Sequence, residues 1–136
     1  MYSVSLALYY LAALGCIFMA ARYLFGSLPT NYHKDMVQKA GIEMPEIFET
    51  ILMSHGRALG AALLASGVSI YLFADMIELD SNFIVRLRPV LVGLIIGMPI
   101  TVYTKRLEEQ TGVQTPWRVS VVLLAVLMAG FGFSFM

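Results

Sequence analysis

The sequence predicts an all-α integral membrane protein, a four-transmembrane-helix antiparallel bundle with a short amphipathic surface helix between spans 1 and 2. Three observations predict it. Hydrophobic residues make up 59% of the 136 positions and charged residues 13%. Mean hydropathy is +0.77. The apolar residues gather into four runs separated by polar, charged connections. A water-soluble domain this small has too little interior for so much apolar surface, whereas a bilayer removes the need for one. The chain is read as one four-span domain over residues 1–136, with spans at about 3–25, 51–76, 84–104 and 116–136 and a polar loop carrying the surface helix at 27–50.

Span one is uncharged until Arg22, and Gly26 with Pro29 stops it. It lacks a basic leading region, and its apolar run is too long for a signal-peptide core, so it is expected to remain as a helix. Leu14-Gly15-Cys16 has the outline of a lipoprotein site but carries Ala13 where a leucine is usual. Cys16 therefore reads as a packing residue. In the loop, Asn31 is the expected N-cap of a short helix that puts Tyr32, Met36 and Ala40 on one side and Lys34, Gln38 and Lys39 elsewhere. Gly41 is expected to end it.

Pro45 suits the first turn of the next helix, and Glu46 and Glu49 favour its positive end. Span two is thus the bilayer part of a helix from about Pro45 to Met76. The connection DMIELDSN is short and acidic. Span three is expected to kink at Pro99 and to continue as helix to Gln110, where Gly112 breaks it. Thr115 is expected to cap the fourth helix at Pro116.

Helical spacing places Gly56, Gly60, Leu63, Gly67 and Ala74 on one stripe of the second span. Gly93 and Gly97, followed by Thr101, offer a similar face on the third, and Ala125, Ala129 and Gly132 on the fourth. Small residues let helix backbones approach where lipid gives no hydrophobic drive, so these faces are expected to meet one another in a tight bundle. Tyr2, Tyr9, Tyr10, Tyr23, Tyr71, Tyr103 and Trp117 read as an aromatic belt at the span ends.

Lysine and arginine are unevenly shared between the two edges. Arg22, Lys34, Lys39, Arg57, Lys105, Arg106 and Arg118 fall on the side of the first and third loops, and Arg86, Arg88 and the amino terminus on the other. This predicts both termini outside and the two longer loops in the cytoplasm. The candidate site lies at the basic edge, where Arg22, Arg57, Lys105, Arg106 and Arg118 gather with Glu108 and Glu109. One reading is a collar that sets topology and meets lipid phosphates. The sharper one is an inward pair between Arg57 and Glu108 or Glu109, or an anion-headgroup pocket, because intramembrane charge is costly.

Net charge is zero, so no basic field draws in nucleic acid. The single cysteine excludes an internal disulfide and a CxxC pair. His33 and His55 are candidate cofactor-binding residues, but paired haem ligation would need both to face one cavity. No P-loop, dinucleotide fingerprint, HExxH or GxSxG occurs, and no nucleophile–base–orienter set is visible. No cofactor, metal or catalytic residue is predicted.

The stretch Tyr23-Leu24-Phe25-Gly26 with Pro29 behind it, then Arg57-Ala58-Leu59-Gly60 with Ala65-Ser66-Gly67, resembles small four-helix bacterial membrane proteins of the DoxX-like kind. The resemblance covers length, span count and the Arg–Gly opening of the second helix. It implies a four-helix membrane fold. The family's named member is associated with a quinone-linked oxidoreductase in sulfur metabolism, and this chain shows no redox residue set to carry that activity. The expected function is therefore a non-enzymatic small subunit or lipid-interacting scaffold, with membrane lipids, further copies of itself or a larger membrane complex as partners. A homo-oligomeric transporter or channel, or a quinone- or haem-binding subunit of a redox complex, is the alternative.

Overall fold

The structure, a computed structural model, describes residues 2–78 and 81–136. The acidic connection 75–82 therefore lies partly outside the described residues, at Leu79 and Asp80. Among the described residues the chain forms five helices and no strand: α1 (Tyr2–Phe25), α2 (Asn31–Lys39), α3 (Glu46–Asp75), α4 (Phe83–Thr111) and α5 (Trp117–Phe133). Three of them, α1, α3 and α4, are long and apolar enough to cross a membrane. Their 24, 30 and 29 residues rise about 36, 45 and 43 Å, against roughly 30 Å of hydrocarbon.

The caps follow local chemistry, with corrections to the sequence reading. Thr30, not Asn31, occupies the N-cap of α2, and its hydroxyl makes no capping bond. Gly41 follows that helix at φ +68°, a backbone conformation only glycine adopts cheaply. Asn82 caps α4 by accepting from the Val85 N–H at 3.1 Å. The helix starts at Phe83, one residue before the span read at 84–104, and holds Pro89 as well as Pro99. Gly112 ends it in the left-handed region at φ 63°. Thr115 does not cap α5, whose N-cap is Pro116. It is buried and donates to the Thr104 carbonyl at 2.8 Å, tying the α4–α5 turn to α4.

α5 is shorter than the span read at 116–136. Its 17 residues rise about 25 Å. At its end the Ser134 N–H reaches the Gly130 and Phe131 carbonyls, each at 3.1 Å, and its hydroxyl bonds Phe131 again at 2.7 Å.

The helices touch in a cycle, with α1 on α3 and α5, and α4 on α3 and α5. The glycine faces do not meet one another, which corrects the expectation. A Cβ on Gly67 would lie 2.7 Å from Ile17 and 2.9 Å from the Ala13 carbonyl oxygen, and one on Gly60 would meet Leu24 and Tyr23. Gly56 sits under Leu28 in the same way. The α3 stripe therefore packs on α1. Gly93 receives Leu127 and Gly97 receives Leu124, both from α5. Each glycine is a hole for a larger knob, because two facing glycine stripes would leave volume unfilled. Ala125, Ala129 and Gly132 point outward; the helical phase of α5 turns Leu127 and Gly130 inward instead.

Small residues take part of the interior while many large apolar ones face outward. Ala12, Ala13, Ala20 and Ala74 are buried, while Phe18 is 71% and Ile95 68% exposed. A soluble helix would turn such residues inward. Tyr9 and Tyr23 depart from the aromatic-belt reading, for both are buried. Tyr9 is held by its hydroxyl bond to the Arg86 carbonyl at 3.0 Å.

Candidate functional site

The basic edge forms where the ends of α1 and α4 meet the starts of α3 and α5. Arg57, at the start of the fourth turn of α3, donates from Nη1 to the Tyr23 carbonyl at 3.1 Å. Tyr23 lies among the last four residues of α1, whose carbonyls have no intrahelical partner. Arg57 is thus a C-cap for a neighbouring helix, at the end where a cation meets the negative pole of its dipole. This overturns the inward Arg57–Glu pair. Both acids are engaged elsewhere, Glu109 with Lys105 at 3.7 Å and Glu108 with Arg118 at 2.8 Å.

Lys39, at the end of α2, repeats the device and donates to the Thr111 carbonyl at 2.7 Å, the last residue of α4. Two cations therefore close two helix ends across the edge. The sequence reading missed this role for Lys39. Its position in the last turn of a short helix carries no mark of a partner 72 residues away.

Glu108 is the hub of the α4–α5 turn, beyond the apolar part of α4. It accepts from the Thr115 backbone N–H at 2.8 Å on Oε2, and from Arg118 Nη2 at 2.8 Å on Oε1. The Thr115 N–H first, and the Arg118 guanidinium after it, hold its carboxyl down at about 2 from an ordinary 4.5. The Trp117 indole N–H directs its dipole at the same carboxylate without reaching hydrogen-bond geometry. Arg118 stands over the Trp117 ring at 4.7 Å and Lys105 at 5.8 Å. Arg106 is exposed on α4.

Arg22 lines a recess at this edge. Its guanidinium makes no ion pair or hydrogen bond among the described residues. Two adjoining hollows of about 150 and 140 Å³ share Arg22, Thr30 and Asn31 as lining.

The two histidines are not brought together on a ligand. His33 Nδ1 lies 2.8 Å from Thr30 Oγ1, and its ring lies against Tyr32 at 4.0 Å. Burial pushes its pKa below the ordinary value of 6.5. His55 Nδ1 lies 2.9 Å from the carbonyl of Ile51, on its own helix, and is exposed. Among the described residues no group of three or more His, Cys, Asp or Glu could hold a metal ion.

The opposite end carries a network that sequence reasoning missed. Arg86, counted only as an edge charge, is buried at 9% exposure. Its Nε donates to the Ser81 carbonyl at 2.8 Å, and its guanidinium stands 5.3 Å from the Phe135 ring. Ser5, also buried, donates to the Gly130 carbonyl at 2.7 Å. Phe83, Phe131 and Phe135 close the end with ring centroids 5.1 to 6.0 Å apart. The four-residue step from Ser5 to Tyr9 is the signal that could have exposed this inward polar face of α1.

Between the helices, Cys16, Ser66, Gly93, Gly97 and Ser120 help to line an interior cavity of about 40 Å³. That is room for a water or two, well below the roughly 300–1,000 Å³ of ligand pockets. The residues thus define an all-helical chain with three membrane-length apolar helices and a cationic edge. No protein-family model, curated protein or solved structure matches it.

Proposed function

We propose that the chain is a multi-pass protein of a bacterial inner membrane. In this reading α1, α3, α4 and α5 cross as an antiparallel bundle, α2 lies on the surface, and both termini face the periplasm. It acts without catalysis, as a small subunit or lipid-interacting scaffold whose basic edge meets anionic headgroups. The contacts Tyr2–Ile77, Gly67–Ala13 and Gly60–Tyr23 descend along α3 as they ascend along α1, which supports the antiparallel order. Local thinning of the bilayer accommodates α5.

The observation that carries the functional reading is the gathering of Arg22, Arg57, Lys105, Arg106 and Arg118 at one end of helices whose outer faces bear large exposed apolar residues. Polybasic segments at that depth are attracted to anionic leaflets by about 1 kcal/mol per charge. The test is thermal unfolding after reconstitution in two kinds of vesicle. One is phosphatidylcholine alone, and the other is equal parts phosphatidylcholine and phosphatidylglycerol. The midpoint is expected to be higher with phosphatidylglycerol and to lose that gain at about 1 M salt, where screening shortens to about 3 Å. Equal midpoints in both vesicles would overturn the reading.

A further inference from the structure

We propose that the recess beside Arg22 is a binding site for a phosphate-bearing anion, filled in the membrane by the headgroup of an anionic phospholipid. The proposal rests on the lipid-interacting reading above and adds a defined place. The recess has two lobes. The polar lobe adds Ser27 to the shared Arg22, Thr30 and Asn31, and the more apolar one adds Met19, Tyr32, Pro116 and Val119 to the same three. A phospholipid carries the same two chemistries in the same order, an anionic diester joined to glycerol and acyl chain. Each lobe, at about 150 and 140 Å³, has the volume of roughly five waters. That suits a headgroup fragment and is too small for a drug-sized ligand.

Arg22 differs in partnership from four cations of this edge and, unlike Arg106, lines a recess. Arg57 and Lys39 each close a helix end, Arg118 is spent on Glu108, and Lys105 on Glu109. Arg22 has no protein acceptor among the described residues, although it borders polar side chains. A guanidinium presents a planar fork of donors that matches two phosphate oxygens at once. Its depth also fits. α1 is free of charge from Tyr2 to Ala21, so Arg22 emerges where the hydrocarbon ends and lipid phosphates begin.

Trp117, the chain's one tryptophan, follows Pro116 in the recess wall and reports on occupancy. Protein in neutral detergent micelles is titrated with dioctanoyl phosphatidylglycerol or with inorganic phosphate while Trp117 emission is followed. A saturable change with the lipid is expected. R22Q should weaken it about ten-fold or more. V119F, which fills the apolar lobe and leaves every charge in place, should weaken it comparably. R88Q, at the other end of the molecule, should stay within about two-fold of the wild type. A response to inorganic phosphate that also depends on Arg22 would make a soluble phosphate the source and keep the chemistry. A response to the lipid alone would fix the source as headgroup.

Equal lipid affinity in the wild type, R22Q and V119F overturns the recess. So does a flat titration in protein that phosphatidylglycerol vesicles still stabilise, and the broader reading then stands. A flat titration together with no vesicle stabilisation removes both.

Discussion

Glu108 joins α4 to α5 through one carboxylate, and its protonation is the best-defined acid sensitivity in the chain. Its folded-state pKa of about 2 lies below the ordinary 4.5. The unfolded chain therefore takes up the proton first as pH falls. The stability it contributes is fully present above pH 4.5 and is lost progressively as pH drops through about 2. Unfolding midpoints from pH 7 to pH 2 should show this loss in the wild type, and E108Q should flatten that segment of the curve. An identical acid limb in E108Q would contradict the assignment. Arg57→Gln tests the neighbouring device. Loss of the cap on Tyr23 should cost about 0.5–1 kcal/mol by chemical unfolding in detergent, with charge-swap partners at Glu108 or Glu109 giving no rescue. Sequence reasoning identified Arg57 as a residue needing a partner on another helix. It could not find that partner, because a backbone carbonyl leaves no mark in residue type. Arg86 was hidden for the related reason that counting charges near span ends is blind to which of them turn inward.

Helix faces were easier to read than helix neighbours. The 3.6-residue period placed Gly56, Gly60, Leu63, Gly67 and Ala74 on one side of α3, and all but the half-buried Gly56 are buried. What those glycines meet depends on tertiary order, and α1, not α4, proved to supply the knobs. The same period suggested Ala125, Ala129 and Gly132 as a packing face on α5, although burial chose Leu127 and Gly130. Small side chains alone do not tell an interface from a lipid-facing flank. Two glycine replacements separate these cases. At Gly67 an added methyl would stand 2.9 Å from the Ala13 carbonyl oxygen, backbone that cannot swing aside, so Gly67→Ala should destabilise by about 1–3 kcal/mol. At Gly132 nothing lies within 4 Å. Gly132→Ala should be neutral or stabilise by up to about 1 kcal/mol, since alanine loses less backbone freedom in a helix. Both are measured as unfolding free energies in one detergent, and a reversed order would mean that α3 does not rest on α1 at Gly67.

Over the whole molecule, charge and burial act together on orientation. Nine lysines and arginines are present, and Arg86 is buried among Ser81 and Phe135. The end that was already poorer in cations therefore presents less positive charge than its residue count suggests, and Arg88 is half-buried beside it. At the other end α3 and α4, each longer than the hydrocarbon is thick, bear the exposed Arg57, Lys105 and Arg106, and Lys39 reaches across to Thr111. Translocating that end would move many exposed cations across the membrane, whereas the opposite end moves few, so the cationic end should be retained in the cytoplasm. The single cysteine makes the test direct. In a Cys16→Ala background, Lys39→Cys and Arg106→Cys should both resist an impermeant thiol reagent applied to intact cells, and Asn82→Cys should react. Lys39→Cys doubles as an internal check, because releasing the cap on α4 alters helix stability but not the side from which the position is reached. Labelling of positions 39 and 106 from opposite sides would break the contact between Lys39 and Thr111 and, with it, the arrangement of helices around the basic edge.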